Sequence, residues 1–216
     1  SWIAPHPPWN PPEPFASMYK NEDMPLPVNY DRDVESLPPS KRSYVNFADM
    51  GYAPDERLQR VKALYSGSIS LIDKGVGRIL RALDELGLAD NTLVIFTSDH
   101  GEMLGDHGQW QKSSPFEASA CVPLLARLPG RFEAGAVSDD LVSLLDLVPT
   151  MLDVANIDYP GEPELPGDSL VGRDGGGLAT VREDYVVEHG RAPNRWLSLR
   201  GLRWKYNYWM VDGWEE

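Results

Sequence analysis

A long stretch of the chain repeats apolar side chains at three- and four-residue steps, and this repeat constrains the fold more than any other feature. The spacing predicts one helix over residues 54–86, because Pro54 is tolerated in a first helical turn and Gly87 suits a helix end. The apolar run LVIFTS, residues 93–98, follows the helix. Its length suits a strand buried on both faces, as in parallel sheets. A long helix followed by a buried strand predicts an α/β fold.

The rest of the chain divides into a continuation of this fold and a small carboxyl-terminal lobe. CVPLLAR at 121–127 predicts a second strand of the same kind, and LLDLVPTMLDVA a second helix. Three alternating runs near the end, YVVEH, RWLSLR and RWKYNYWM, predict antiparallel strands with a hairpin turn at Arg200-Gly201 or Gly201-Leu202. We therefore expect an α/β domain over residues 1–172 and the start of a small antiparallel subdomain over residues 173–216.

The amino-terminal part is rich in proline. Ten of the nineteen prolines fall by residue 40, and their fixed φ and missing N–H exclude a long helix or a central strand. Residues 5–45 are therefore predicted to be a loop, within a proline-rich stretch that we assign to residues 1–50. Ordered loops of that length often form a lid or a wall of a site, so we expect this stretch to be an active-site loop. Four aromatic side chains could anchor it: Trp9, Phe15, Tyr19 and Tyr30.

Charge and cysteine content exclude several classes of function. The net charge of −13 argues against nonspecific affinity for nucleic acid or for an anionic membrane. An anionic ligand would therefore need a local positive site. The single cysteine, Cys121, lies in an apolar run and is expected to be a buried thiol rather than part of a disulfide or a zinc cage. The compartment cannot be deduced from the sequence, and homo-oligomerisation stays open.

The segment TSDHGEMLGDHGQWQK, residues 97–112, begins where the first predicted strand ends. In open α/β sheets the ligand site lies beyond the carboxyl ends of the strands. Asp99 and His100 could both reach one metal ion or one phosphate-like group there, and Gly101 would let the backbone turn away without a steric cost. The alternative is that Asp99 caps a turn and His100 packs on the surface.

Other polar residues of this segment and of the proline-rich loop are further candidates. The ammonium group of Lys112 could hold an oxyanion opposite a metal ion, although most lysines are solvated surface residues. His6 could protonate a departing oxygen, or it could be a structural imidazole. His107 is a candidate for a supporting group behind the ligands, whereas a polar loop face is the favoured interpretation of Glu102 and Asp106.

The same segment, the helix-and-strand sequence before it and FEASACVPLLARLPG after it closely resemble the sulfatase branch of the alkaline phosphatase superfamily. The opening stretch SWIAPHPPWNPPEPFASMYKNEDMPLP is similar to the phosphonate monoester hydrolase and arylsulfatase-type members. The resemblance covers nearly all of residues 1–210. It implies an alkaline-phosphatase-like mixed sheet flanked by helices, with a small antiparallel carboxyl-terminal lobe, incomplete at both ends.

The resemblance also implies roles for individual residues. Asp99 and His100 would supply half of a site for one divalent metal ion, Lys112 would contact the transferred sulfate or phosphate group, and His6 would lie on the leaving-group side. A histidine ligand suits manganese or zinc better than calcium, which prefers oxygen, so the metal stays open among these three.

The family's nucleophile, a formylglycine, arises in a Cys- or Ser-x-Pro-x-Arg motif that this sequence does not contain. Cys121 is followed by Val122-Pro123-Leu124 and lacks the arginine. We therefore expect the nucleophile in a missing amino-terminal part, and expect the chain alone to be inactive.

Three functions stay open at this point. The first is hydrolysis of sulfate monoesters, and the second is hydrolysis of phosphonate monoesters or phosphodiesters at nearly the same site. The third is a non-catalytic fragment or binding protein that retains the fold. The motifs do not separate the first two, since GDHGQWQK favours sulfatases and the PHPPW loop favours the second group.

Overall fold

The computed structural model describes residues 1–30, 54–159, 161, 163–171, 182–190, 195–210 and 214–215. The chain divides into two compact units. The first contains residues 1–87 and 101–120, and the second contains residues 88–100 and 121–216. The predicted boundary between residues 172 and 173 lies outside the described residues and stays a prediction, as does the loop prediction for residues 31–45.

The first unit is built on helix α1, Asp55–Glu85, which confirms the helix predicted over residues 54–86. Acidic side chains in its first turn, Asp55 and Glu56, stabilise the positive end of the helix dipole. Gly87, with a φ of +67°, ends the helix in the left-handed conformation that glycine adopts at no steric cost. No helix among the described residues is both long and apolar enough to cross a membrane.

The proline-rich segment, residues 1–30, contains no strand, as expected. The structure shows in addition that it packs along α1. It contains two short 3₁₀ turns, Phe15–Ser17 and Asn21–Asp23. Phe15 is buried against the helix where Gly67 has no side chain, because a Cβ on Gly67 would overlap the carbonyl oxygen of Phe15. Hydrogen bonds add to this contact, and one of them joins Tyr19 Oη and Ser70 Oγ at 2.8 Å. Segment 1–30 is thus an ordered layer on the helix.

The second unit contains a two-stranded sheet of β1, Val94–Thr97, and β2, Leu124–Arg127. The two strands pair antiparallel, and Phe96 lies opposite Leu125. The expectation of strands buried on both faces, as in parallel sheets, was wrong for this pair, because Phe96 is 37% exposed and Leu125 60%. Cys121 is also exposed rather than buried, since β2 begins only at Leu124 and the thiol lies before the strand.

A helix and a second sheet complete this unit. Helix α2, Glu117–Ala120, is short and belongs to the first unit. In the second unit a 3₁₀ turn, Leu144–Asp146, leads into helix α3, Leu147–Val154, at the predicted place. The strands β3 (Asp184–His189), β4 (Trp196–Gly201), β5 (Lys205–Trp209) and β6 (Trp214–Glu215) form an antiparallel sheet in sequence order.

The hairpin between β4 and β5 turns one residue later than expected. Arg200 pairs with Lys205, and the Gly201 N–H donates to the Trp204 carbonyl oxygen at 2.8 Å. The turn therefore lies at Leu202 and Arg203, because strand pairing continues through Gly201.

Candidate active site

Asp99 and His100 lie just beyond the end of β1, at the position where we predict a ligand site from the sequence. His100 Nε2 and Asp99 Oδ2 are 3.5 Å apart, so a nitrogen and an oxygen donor converge. The Asp99 side chain is 86% exposed and that of His100 33% exposed. The backbone supports this arrangement, because Asp99 Oδ1 accepts the His100 N–H at 3.1 Å and Ser98 Oγ donates to the His100 carbonyl oxygen at 2.8 Å.

This donor pair fits part of the shell of a divalent ion. One carboxylate oxygen and one imidazole nitrogen on the same side of a tight turn are ligands that manganese and zinc accept. In the part of the chain that the structure describes, no group of three or more His, Cys, Asp and Glu side chains is assembled for a metal. Two ligands are less than a complete shell, so the pair can act only together with further donors.

The residue directly after His100 has to be a glycine, Gly101, because the backbone of α2 lies too close for a side chain. Its N–H donates to the Ser119 carbonyl oxygen at 2.8 Å, and a Cβ there would overlap the carbonyl oxygen of Ala118. Glycine is needed here because α2 packs directly on the chain.

The segment that carries Lys112 has an unusual backbone. Among the described residues, six other than glycine have a positive φ, and four of these lie between residues 104 and 113: Leu104, His107, Gln111 and Ser113. Such conformations each cost on the order of 1–3 kcal/mol and concentrate at functional sites. The carboxylate of Glu102 stabilises the segment, because it accepts the backbone N–H groups of Leu104 and Gln111. Glu102 therefore closes the loop and is more than part of a polar face.

Asp106 joins this segment to the proline-rich segment and to α1. Asp106 Oδ1 accepts the Val28 N–H at 2.9 Å, and the His107 N–H donates to the Val28 carbonyl oxygen at 2.7 Å. Lys62 Nζ on α1 lies 3.8 Å from Asp106 Oδ1. The sequence missed this role of Asp106, because no local pattern links it to Val28 or Lys62.

The helix surface under this segment disfavours charge. Burial lowers the pKa of Lys62 and outweighs the opposing attraction of Asp106. Burial also raises the pKa of Tyr65, and the negative charge of Glu102 adds to that effect. In both cases burial is the main cause of the pKa shift, because it penalises the charged form of the side chain.

Aromatic contacts pack the same segments together. The His107 ring stacks on Phe116 with centroids 4.1 Å apart and planes at 11°. Trp9 and Trp110 have centroids 5.7 Å apart at an interplanar angle of 46°, and Trp110 is only 2% exposed. Trp110 also belongs to a core with Leu58 and Val61 of α1.

The family of the chain follows from comparison with known proteins. A family model described as Sulfatase matches residues 1–157. The chain belongs to the sulfatase family. It is 40% identical to an arylsulfatase of Clostridium perfringens over 76% of this chain, and 34% identical to the choline-sulfatase of Rhizobium meliloti over 98% of it. The chain spans 34% and 42% of the lengths of these two relatives.

A solved structure confirms the predicted fold class. The phosphonate monoester hydrolase from Silicibacter pomeroyi matches with a TM-score of 0.86 and 27% identity, over 99% of this chain and 47% of that chain. The fold is therefore the alkaline-phosphatase-like α/β fold of the sulfatase family.

Within this sulfatase-family chain the predicted site residues fall into two groups. Asp99 and His100 converge in the second unit. His6, Lys112 and His107 belong to the first unit, where the segments that carry them are in contact. His6 is exposed and its Nδ1–H donates to the Pro7 carbonyl oxygen at 2.8 Å. The catalytic and metal-binding roles of these residues stay predictions.

Proposed function

We propose that the protein containing this chain hydrolyses sulfate monoesters, with Asp99, His100, Lys112 and His6 in its active site. Membership of the sulfatase family, together with the convergence of Asp99 and His100 beyond β1, is the observation that carries this proposal. A chain with a net charge of −13 needs local positive charge to hold a sulfate ester, and a divalent metal ion and the Lys112 ammonium would each supply some of it.

Asp99 and His100 would hold one divalent ion, calcium or manganese with zinc as the alternative, together with ligands from outside the described residues. When bound, such an ion would polarise the sulfur–oxygen bonds of the ester. The nucleophile would be a hydrated formylglycine from outside these 216 residues. The chain's own residues would bind the substrate and move protons.

The Lys112 ammonium would donate hydrogen bonds to the sulfate oxygens and compensate the charge that develops on them. His6 would give a proton to the departing oxygen. Because Nδ1–H of His6 is engaged with the Pro7 carbonyl oxygen, the proton to be delivered would be carried on Nε2. His107, stacked on Phe116, would support the segment that carries Lys112.

Hydrolysis of phosphonate monoesters or phosphodiesters is the second candidate. The likeness to the phosphonate monoester hydrolase from Silicibacter pomeroyi over 99% of this chain favours it. The reacting group of these esters carries one negative charge, as that of a sulfate monoester does. The same lysine, histidine and metal ligands could therefore serve either substrate.

The test is an assay of the protein containing this chain, with manganese or calcium added. A nitrophenyl sulfate is compared with a nitrophenyl phenylphosphonate in the wild type and in Asp99→Ala and Lys112→Ala. We expect faster cleavage of the sulfate, and a fall in kcat/KM on the order of 10²-fold in the lysine variant, because a charge-stabilising donor is lost. Lys20→Ala is the matched control, since Lys20 is an exposed lysine of the same unit.

Each outcome decides between the candidates. Faster cleavage of the phosphonate would favour the second function. Wild-type rates in Lys112→Ala would remove that residue from the site. No cleavage of either ester, with every variant folded, would leave a binding protein that retains the fold.

A further inference from the structure

We propose that the contact between Trp9 and Trp110, called here the tryptophan link, is a positioning device that sets the place of His6 relative to Lys112. This inference rests on the proposed function and deepens it, because it assigns a role to two residues outside the predicted site. Trp9 follows His6 by three residues, and Trp110 precedes Lys112 by two. The two rings are in direct contact at 5.7 Å between centroids.

The chain between His6 and Trp9 transmits displacement because it consists of Pro7 and Pro8. Each proline ring fixes φ, which leaves few torsions to absorb a movement of the tryptophan. A shift of Trp9 is therefore passed to the histidine rather than lost in a flexible segment.

The chain between Trp110 and Lys112 is held equally firmly. The N–H of Gln111 donates to the Glu102 carboxylate, and the carbonyl oxygen of Gln111 accepts the Met103 N–H at 2.8 Å. Its φ of +63° is a conformation that such bonds must maintain. Both ends of the tryptophan link are thus coupled to a candidate catalytic residue through short, restrained stretches.

The link acts through packing alone. Trp110 is 2% exposed in the core with Leu58 and Val61, and Trp9 packs against that core. Among the described residues, neither indole N–H has a hydrogen-bond partner. Phenylalanine retains an aromatic ring without the N–H. Substitution of either tryptophan by phenylalanine should therefore preserve the contact, whereas substitution by leucine should weaken it.

The dependence of kcat/KM on the leaving group distinguishes a loss of His6 positioning from a general loss of active structure. A proton from His6 matters most when the departing oxygen is a poor leaving group, so His6→Ala should lower kcat/KM more for phenyl sulfate than for nitrophenyl sulfate. We expect Trp9→Leu to show the same dependence, with a loss of about tenfold or more on phenyl sulfate, because small displacements of a catalytic group are costly. Trp9→Phe should stay within about threefold of the wild type.

The experiment uses the protein containing this chain, with thermal melts of every variant. Trp204→Leu is the matched control, since Trp204 is 72% exposed and belongs to the other unit. Trp9→Leu is also made in the His6→Ala background, where it should lose most of its effect on kcat/KM. The histidine that Trp9 positions is then gone, while Trp110 keeps its own packing on Leu58 and Val61 and so holds the segment of Lys112. If the leucine variant melts below the assay temperature, Trp9→Met carries the same comparison with more of the side-chain volume retained.

Three results would overturn the proposal while the proposed function survives. The first is that Trp9→Leu lowers kcat/KM equally for phenyl sulfate and for nitrophenyl sulfate. The second is that Trp9→Leu keeps its full effect on kcat/KM in the His6→Ala background. The third is that Trp9→Phe loses as much activity as Trp9→Leu. A loss for His6→Ala that is independent of the leaving group, or an absence of hydrolysis, would instead overturn the role of His6 and the positioning role with it.

Discussion

Two glycines of α1 have opposite surroundings, although they belong to the same helix. A Cβ on Gly67 would overlap the carbonyl oxygen of Phe15. Among the described residues, a Cβ on Gly77 would come within 4 Å of Arg81 Nη1 alone, at 3.9 Å. Gly67→Ala must push the proline-rich segment away, which we expect to destabilise the protein by about 1–3 kcal/mol. Gly77→Ala should stabilise it by about 0.5–1 kcal/mol, because alanine restricts the unfolded chain and favours helix.

Urea unfolding followed by circular dichroism measures both variants. The two substitutions serve as controls for each other, since they make the same chemical change on one helix. Equal shifts of the two midpoints would contradict the packing of Phe15 on Gly67.

Single residues were predictable from sequence where their neighbours in the chain decide their surroundings. Asp99 and His100 are adjacent and follow a strand, so their convergence could be expected. Asp106 was not assigned correctly, because its partners Val28 and Lys62 are distant in sequence. The tryptophan link was missed for the same reason.

At the scale of elements, one buried carboxylate, that of Asp146, stabilises the start of α3. Asp146 is fully buried and accepts the backbone N–H groups of Ser143 at 2.7 Å and Asp168 at 3.0 Å. Both of its oxygens also receive the Arg182 guanidinium, at 2.8 and 3.1 Å. The hydrogen bonds between the Arg182 guanidinium and the Asp146 carboxylate raise the pKa of Arg182. One side chain therefore joins the helix start, the segment at residue 168 and the entry to β3.

Asp146→Ala should be one of the most destabilising substitutions in this unit. It leaves the largely buried Arg182 guanidinium without its main partner and two backbone N–H groups without acceptors, which costs about 3–5 kcal/mol. Asp139→Ala, at an exposed aspartate, should change the free energy of unfolding by less than about 0.5 kcal/mol. Thermal and urea unfolding compare the two, and similar shifts would show that Asp146 contributes little.

Elements were predictable from the sequence as far as they depend on local periodicity. The 3.6-residue repeat gave α1 nearly to the residue, and alternation gave β3, β4 and β5. The partner and direction of β1 were not predictable, because the pairing with β2 is decided by a contact across some thirty residues of chain. Turn position also depended on pairing, since the β4–β5 register continues through Gly201.

At the scale of the whole molecule, composition limits the partners and the family motifs indicate the fold. The net charge of −13 confines any affinity for anions to local sites. The sulfatase-family fold was predictable because its motifs extend over most of the chain, and residues 1–157 match the family. The grouping of residues 101–120 with residues 1–87 was not predictable, because it follows from packing on α1 rather than from chain order.

The β1–β2 sheet predicts how the 216-residue chain behaves in solution. Phe96 and Leu125 are direct partners, so their side chains lie on one face, where they are 37% and 60% exposed. Two strands alone are marginally stable, and an apolar patch on a small sheet promotes association. We expect the chain to bind the dye ANS and to self-associate at micromolar concentration.

Leu125→Lys tests this expectation directly. A charge opposite Phe96 should lower both dye binding and the apparent mass in light scattering, because the apolar face is interrupted. Val137→Lys is the matched control: Val137 is 91% exposed, but it lies outside helices and strands. If both lysine variants reduced association equally, the added charge rather than the sheet face would be responsible, since each variant changes the net charge by the same amount. A reduction confined to Leu125→Lys would assign the association to the face that carries Phe96.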